Sequence, residues 1–492
     1  MKIFCFQAQP VLRIEAGLRY DRVGKSAKWL KRANLARNVL FHEITPSKPA
    51  FCHTSCAGSD QGIIGSGFRR MKIRMPQSTT APVSASPRIM LYSHDTLGYG
   101  HLRRNLLIAK ALSDLHPQPE ILLIGGIREA GAFAVPPRAD FVTLPAYAKQ
   151  SDGSYQPREL GDDIKRLARM RSRIIMSAAE AFDPDLLIVD NVPRGAQYEL
   201  DETLAALSRR GRCKIVLGLR DVIDDSRVVR RQWLRQRNFE TVRRHYDFVW
   251  VYGDPMLYDL LADCAMARPL GNRATHVGLL DPTARGNTEQ AAIDHADIAG
   301  ADPRPYVFCA VGGGRDGAAL CEAFANAPMP KGHRGVLVTG TQMPDALRDT
   351  VAGIVAARDD MTMLPFVREP FAVMGGAARL IGMGGYNTTM EFLTLSAPSL
   401  IVPRCVPRRE QVMRTSRLAG LGMVSMLLPD DLSAEALGDW LARPALSKPN
   451  MLDMGGLGRI QDLTRAILGS EPADSALRPQ DWKVAQPLCA AA

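Results

Sequence analysis

Arg88-Ile89-Met90-Leu91-Tyr92-Ser93 runs directly into His94-Asp95-Thr96-Leu97-Gly98-Tyr99-Gly100-His101-Leu102-Arg103-Arg104, and this stretch decides the fold. An apolar run without polar alternation predicts a strand buried on both faces, as in a parallel sheet. After the glycine loop, Leu102, Leu106, Ala109 and Leu112 fall on one helical stripe. Strand, glycine loop and helix open a doubly wound α/β domain. The alternation continues with strands predicted at 121–124, 141–144, 186–190, 214–217 and 248–252, and helices at 161–182, 197–210 and 226–245. The domain spans 88–280.

Residues 281–304 are polar and read as an interdomain linker with some helix. A second alternation fills 305–470. Its strands are predicted at 306–311, 335–338, 361–364, 379–382 and 399–402, with helices at 317–327, 344–357, 387–396, 408–420 and 433–443. The expected architecture is α/β, with two Rossmann-like doubly wound domains facing a cleft. Residues 471–492 read as a flexible tail. Open parallel sheets bind ligands beyond the carboxyl ends of their strands, so a ligand between the domains is expected.

The chain has 492 residues, 62 Lys plus Arg, 51 Asp plus Glu and a formal net charge of +11. Residues 1–87 hold 14 basic and 4 acidic residues, which leaves 48 against 47 for the rest. The body is therefore nearly neutral, and a nucleic-acid partner is not expected. Residues 1–87 read as a basic extension and linker, and Met71 or Met75 would be a natural start just before residues 76–87. The nine Cys show no pairing rhythm, which predicts free thiols in a reducing compartment. Cys52, His53 and Cys56 lack the second cluster a zinc site needs. No apolar run reaches the length of a transmembrane helix.

Three strand-to-helix loops carry the chemistry. In the first, Gly98 and Gly100 let the backbone approach a ligand, and His101 opens the helix. Arg103 stands where the dinucleotide fingerprint needs its third glycine, which argues against NAD. In the second, Gly312, Gly313 and Gly314 suit phosphate contact through backbone amides, with Arg315 as a charged addition. The third holds Gly384, Gly385, Asn387, Thr388 and Glu391. Thr388-x-x-Glu391 has the spacing of a capping box. Alternatively, Glu391 accepts from the two hydroxyls of a ribose. Gln411, in a helix expected to start after Pro407, can exchange hydrogen bonds with a sugar.

On these motifs the chain resembles the two-domain GT-B glycosyltransferases, in particular the MurG-like group that transfers N-acetylglucosamine to a lipid-linked peptidoglycan precursor. The family's N-terminal loop with its His is matched by Gly98-Tyr99-Gly100-His101, and the loop opening its second domain by Gly312–Gly314. The resemblance assigns Glu391 to the donor ribose and Gln411 to the donor sugar. Tyr99, Arg103 and Arg104 depart from the family pattern. The Gly-x-Gly-His-x-x-Arg form is also similar to nucleotide-sugar hydrolases, whose loop His helps activate water, and an epimerase or a non-catalytic nucleotide-sugar binder are further alternatives.

The resemblance implies a UDP-sugar as substrate, no separate cofactor and no metal, because helix dipoles would stabilise the departing diphosphate. His101 is the first candidate for the base, with Asp95, Asp190 and Asp221 as alternatives. The acceptor is unidentified, lipid-linked or glycan, and is expected to be selected by 127–160 and 191–196. A cytoplasmic enzyme is expected, with peripheral membrane contact through Arg166, Arg169, Arg171 and Arg173 beside Ile174, Ile175 and Met176, or through 230–237.

Overall fold

The computed structural model describes residues 86–94, 98–149, 154–286, 288–299, 302–445, 448–449 and 451–469. The basic N-terminal extension with Cys52, His53 and Cys56, the loop residue Asp95 and the tail from 471 lie outside the described residues. The first half contains β1 (Arg88–Tyr92), β2 (Glu120–Gly125), β3 (Ala139–Thr143), β4 (Tyr147–Lys149), β5 (Tyr155–Pro157), β6 (Leu186–Asp190), β7 (Lys214–Arg220), β8 (Phe248–Tyr252) and β9 (Ala274–His276). Seven of these form a parallel sheet in the order β3-β2-β1-β6-β7-β8-β9, while β4 and β5 pair as an antiparallel hairpin. The second half contains β10 (Tyr306–Ala310), β11 (Arg334–Val338), β12 (Met361–Leu364), β13 (Arg379–Gly382), β14 (Ser399–Ile401) and β15 (Ser425–Met426). These pair in parallel in the order β12-β11-β10-β13-β14-β15.

The strand order locates the functional end of each sheet. Growth reverses direction between β1 and β6, and again between β10 and β13. At such a switch point the two flanking connections leave on opposite faces and open a crevice at the carboxyl ends. The central strands are covered on both sides, which explains their unbroken apolar runs: Ile89–Tyr92 and Leu186–Val189 are fully buried.

Several elements differ from the sequence expectation. The polar segment 281–304 contains helices Thr283–Gly286 and Glu289–Ala299, the second packed against helix Pro370–Gly375. The stretch 226–245 is two helices, Ser226–Arg235 and Asn238–His245, because Arg237 adopts a left-handed backbone (φ 55°). The helix beyond β14 starts at Glu410, so Pro407 lies in the loop before it. The last described helix, Gly456–Leu468, packs on helix Gly100–Leu112 of the first half, and Gln461 Nε2 donates to the Ala111 carbonyl at 2.7 Å. The basic face expected on helix Ile164–Phe182 forms in part: Arg166, Arg169 and Arg173 are exposed. Arg171 and Ile175 are fully buried, and Arg171 is ion-paired with Glu199. Among the described residues no helix is long and apolar enough to cross a membrane.

Candidate active site

The loop after β1 and the end of β6 meet at the first switch point. His101 is the second residue of helix Gly100–Leu112, and Asp190 is the last residue of β6. Asp190 is 1% exposed and accepts from Arg104 Nε at 2.8 Å and Nη2 at 2.7 Å. Its second carboxylate oxygen also contacts His101 Nδ1. Burial alone would raise the Asp190 pKa, but the Arg104 guanidinium and His101 overcome it and hold the carboxyl well below its ordinary value. Asp190 is therefore an ionised group with its oxygens occupied, suited to orienting His101 and poorly suited to taking a proton itself. His101 lines the cleft, and its Nδ1 is engaged by Asp190 and lies 3.0 Å from Arg104 Nη2, which leaves Nε2 as its unengaged nitrogen among the described residues. The His94 ring lies 4.5 Å from the His101 ring, centroid to centroid. Burial first, and then His101, push His94 well below the usual imidazole value, so it stays neutral at pH 7. Asp221, the other aspartate alternative, is fully buried and forms a two-pronged pair with Arg414 at 2.6 Å. This pair ties the residue after β7 of the first half to helix Glu410–Gly420 of the second and leaves Asp221 no free carboxylate oxygen.

In the second half, the Gly312–Gly314 loop follows β10. Gly314 has φ +92°, and a Cβ there would stand 2.2 Å from the Thr339 carbonyl oxygen. A Cβ on Gly340 (φ +79°) would stand 2.4 Å from the Gly312 carbonyl oxygen. The two loops thus pack backbone against backbone, and the Gln342 amide donates to the Gly313 carbonyl at 2.8 Å. Helix Tyr386–Thr394 follows β13 with Gly385 as N-cap and no side-chain cap. The capping-box expectation fails here. The helix begins before Thr388, which is already its third residue, and Glu391 pairs with Arg285 from the interdomain segment. Gly384 sits behind the cleft lining, where a Cβ would crowd Thr415 Oγ1 at 2.9 Å and Gln411 Cβ at 3.2 Å. Gln411 Oε1 accepts from the Arg404 amide at 2.9 Å.

These loops face one another across a cleft of about 400 Å³. Gly98, Gly100 and His101 line one wall. Gly312, Gly313, Gly314 and Arg315 line the other, together with Gly385, Asn387, Thr388, Glu391 and Gln411. The halves are clasped at the rim: Asn387 Nδ2 donates to the Gly100 carbonyl at 2.9 Å, and the Tyr99 and Thr341 hydroxyls are 3.1 Å apart. Besides Pro370–Gly375, capped by Glu369, and Glu410–Gly420, with Glu410 in its first turn, three helices begin beside the cleft: Gly100–Leu112, Ala318–Asn326 and Tyr386–Thr394. None has a side-chain cap or an acidic residue in its first turn. Their amide ends therefore present partial positive charge that the protein does not neutralise with its own groups. Arg104, Arg220 and Arg285 were not marked as site residues from sequence. Arg104 sat one turn beyond the glycines and Arg220 ended a strand, a position that could have drawn attention. Arg285 carried no signal, being in a polar linker. Among the described residues no group of three potential metal ligands occurs.

Two doubly wound parallel sheets with their switch points on one cleft are the GT-B architecture expected from the sequence. No protein-family model matches the chain. Over 143 residues, 28% of this chain and 39% of the relative, it is 32% identical to the UDP-N-acetylglucosamine–N-acetylmuramyl-(pentapeptide) pyrophosphoryl-undecaprenol N-acetylglucosamine transferase of Burkholderia multivorans. The match thus spans less than half of that relative's length. Among solved structures, the UDP complex of S. aureus MnaA superposes with a TM-score of 0.52 at 11% identity, covering 79% of this chain and all of that one. A structure from Listeria monocytogenes described as a UDP-N-acetylglucosamine 2-epimerase gives 0.51 at 12% identity, covering 80% and 100%. At such identities the likeness is one of fold.

Proposed function

We propose that this chain is a glycosyltransferase that moves a sugar from a UDP-sugar to an acceptor hydroxyl in one inverting displacement, without a metal. The observation that carries this reading is the coincidence, on one cleft, of three uncapped helix starts with the His101–Asp190 pair. The nucleotide diphosphate lies over the Gly312–Gly314 loop and the start of helix Tyr386–Thr394, with Glu391 at the ribose and Gln411 at the sugar. His101 Nε2 takes the proton of the acceptor hydroxyl while Asp190 keeps the imidazole in the Nδ1–H tautomer. The acceptor oxygen bonds to the anomeric carbon. The carbon–oxygen bond to the phosphate breaks, and its electron pair leaves with UDP. Amide dipoles and Arg315 meet the charge on that leaving group, so a cation is not required.

The partial sequence likeness to a transferase named for a pyrophosphoryl-undecaprenol acceptor supports a lipid-linked acceptor here. Helix Ser226–Arg235 would reach a membrane surface on the cytoplasmic side, since Leu234 is 60% exposed and Arg235 follows it. The test is a UDP-sugar panel read by UDP release, with and without candidate acceptors. His101→Ala is expected to keep UDP affinity within threefold while turnover falls by about 10²-fold or more. Full-rate UDP release without any acceptor would replace transfer by hydrolysis.

A further inference from the structure

Seven arginines line the cleft. Arg103 donates to the Arg368 carbonyl and Arg315 is also engaged, and three more are held by carboxylates. Arg104 is held by Asp190, Arg414 by Asp221, and Arg404 by Asp316 and Glu410. The other two, Arg220 at the end of β7 and Arg408 in the loop before helix Glu410–Gly420, both line the cleft. Among the described residues neither has a hydrogen-bond or ion-pair partner, and the Arg220 Nε is buried without an acceptor. The main opposite charge acting on Arg220 is Glu410, whose Oε1 accepts from Arg404 and whose Oε2 is buried without a hydrogen-bond partner, so one carboxylate serves the guanidiniums of Arg220, Arg404 and Arg408. Burial lowers Arg220 to about 10, which leaves it cationic at pH 7. Both arginines are half-buried, with the Arg220 Nε fully shielded, and a planar donor fork so placed matches carboxylate and phosphate oxygens.

The two guanidiniums belong to opposite halves of the molecule, and His94, in ring contact with His101, feels the charge of both. They therefore stand beside the reacting centre. The nucleotide diphosphate already has its own bed of glycine amides and helix starts. From this geometry we infer that Arg220 and Arg408 form a two-sided clamp for a second anion, a carboxylate or phosphate carried by one of the two reactants next to the reacting carbon. The inference rests on the UDP-sugar reading for the place of the diphosphate, but the clamp has its own readout.

The experiment uses the full chain, Arg220→Gln and Arg408→Gln, with Arg220→Lys as a variant that keeps the charge. Calorimetry measures UDP, UDP-glucose and UDP-glucuronate, and then glucuronate, glucose and inorganic phosphate with UDP already bound. The expected result is a tenfold or greater loss of affinity for an anionic probe in both Gln variants, with UDP and the neutral counterpart changed less than threefold. A loss confined to UDP-glucuronate places the anion on the donor sugar. A loss confined to glucuronate or phosphate over bound UDP places it on the acceptor. Equal binding of anionic and neutral probes, or anionic probes unaffected in the Gln variants, overturns the clamp. So does an equal loss for UDP itself, which would assign the arginines to the diphosphate. If UDP fails to bind the wild-type chain, the donor reading falls, and phosphate binding alone still decides the clamp.

Discussion

Replacing Asp190 by Asn keeps the shape of the side chain and removes its charge. Two consequences follow from its contacts. First, Arg104, 2% exposed, loses the carboxylate that accepts both its Nε and its Nη2. Breaking a buried pair by removing one partner costs about 3–5 kcal/mol, and the retained amide oxygen should place this variant near 3. At roughly 2 °C per kcal/mol for a chain of this size, the melting temperature should drop by about 6 °C. Second, the Asn amide can donate to His101 Nδ1, which moves the imidazole proton to Nε2 and removes the base. Turnover should fall by about 10²–10⁴-fold while UDP affinity changes little, since Asp190 contacts His101 and Arg104 of the first half, whereas the proposed bed of the diphosphate belongs to the second. Steady-state UDP release and a UDP titration by calorimetry read the two quantities separately. Unchanged turnover in a folded variant would remove the Asp190–His101 pair from the mechanism. An equal loss of turnover and UDP affinity would turn Asp190 into a purely structural residue.

Glu391→Gln should weaken UDP binding about tenfold or more; if only the melting temperature falls, Glu391 serves Arg285 and not the ribose. Asp221→Ala strands Arg414 in the interior and should cost about 3–5 kcal/mol by chemical denaturation, with a loss below 1 refuting a stabilising interdomain pair. Gly314→Ala should abolish nucleotide binding or folding, because its Cβ would stand 2.2 Å from a carbonyl oxygen that cannot retreat. For pH, the folded-state carboxyl of Asp190 is depressed, so its stabilisation is present above the unfolded value of about 4 and is lost as pH falls through the lower folded value. The stability gap between wild type and Asp190→Asn should therefore shrink below about pH 4 in acid denaturation curves; a constant gap would contradict the ion pairing.

The fold was legible because the buried strands are continuous apolar runs: Ile89–Tyr92 and Leu186–Val189 have no polar alternation, and both prove fully buried. Strand order was not legible, since nothing in β6 says that it pairs with β1, yet this pairing brings Asp190 to His101. Glycine loops announced themselves by composition. Side-chain partnerships did not. Thr388 and Glu391 have capping-box spacing, but the N-cap is Gly385, three residues upstream of Thr388, and Arg285, 106 positions away, holds the carboxylate. Asp221 looked like a candidate base at a strand end, and only the fold reveals Arg414 on the facing domain. Short elements such as β15, with two residues, offer no periodicity to read.

Everything proposed for the cleft between the two sheets depends on its binding UDP. The direct measurement is calorimetric titration of the full chain with UDP, paired with a thermal melt. A saturable one-site isotherm is predicted, with stabilisation of about 2.7 kcal/mol at a ligand excess of 100 times the dissociation constant. Absence of both heat and stabilisation with UDP and every other nucleoside diphosphate would show that the cleft is not a nucleotide site.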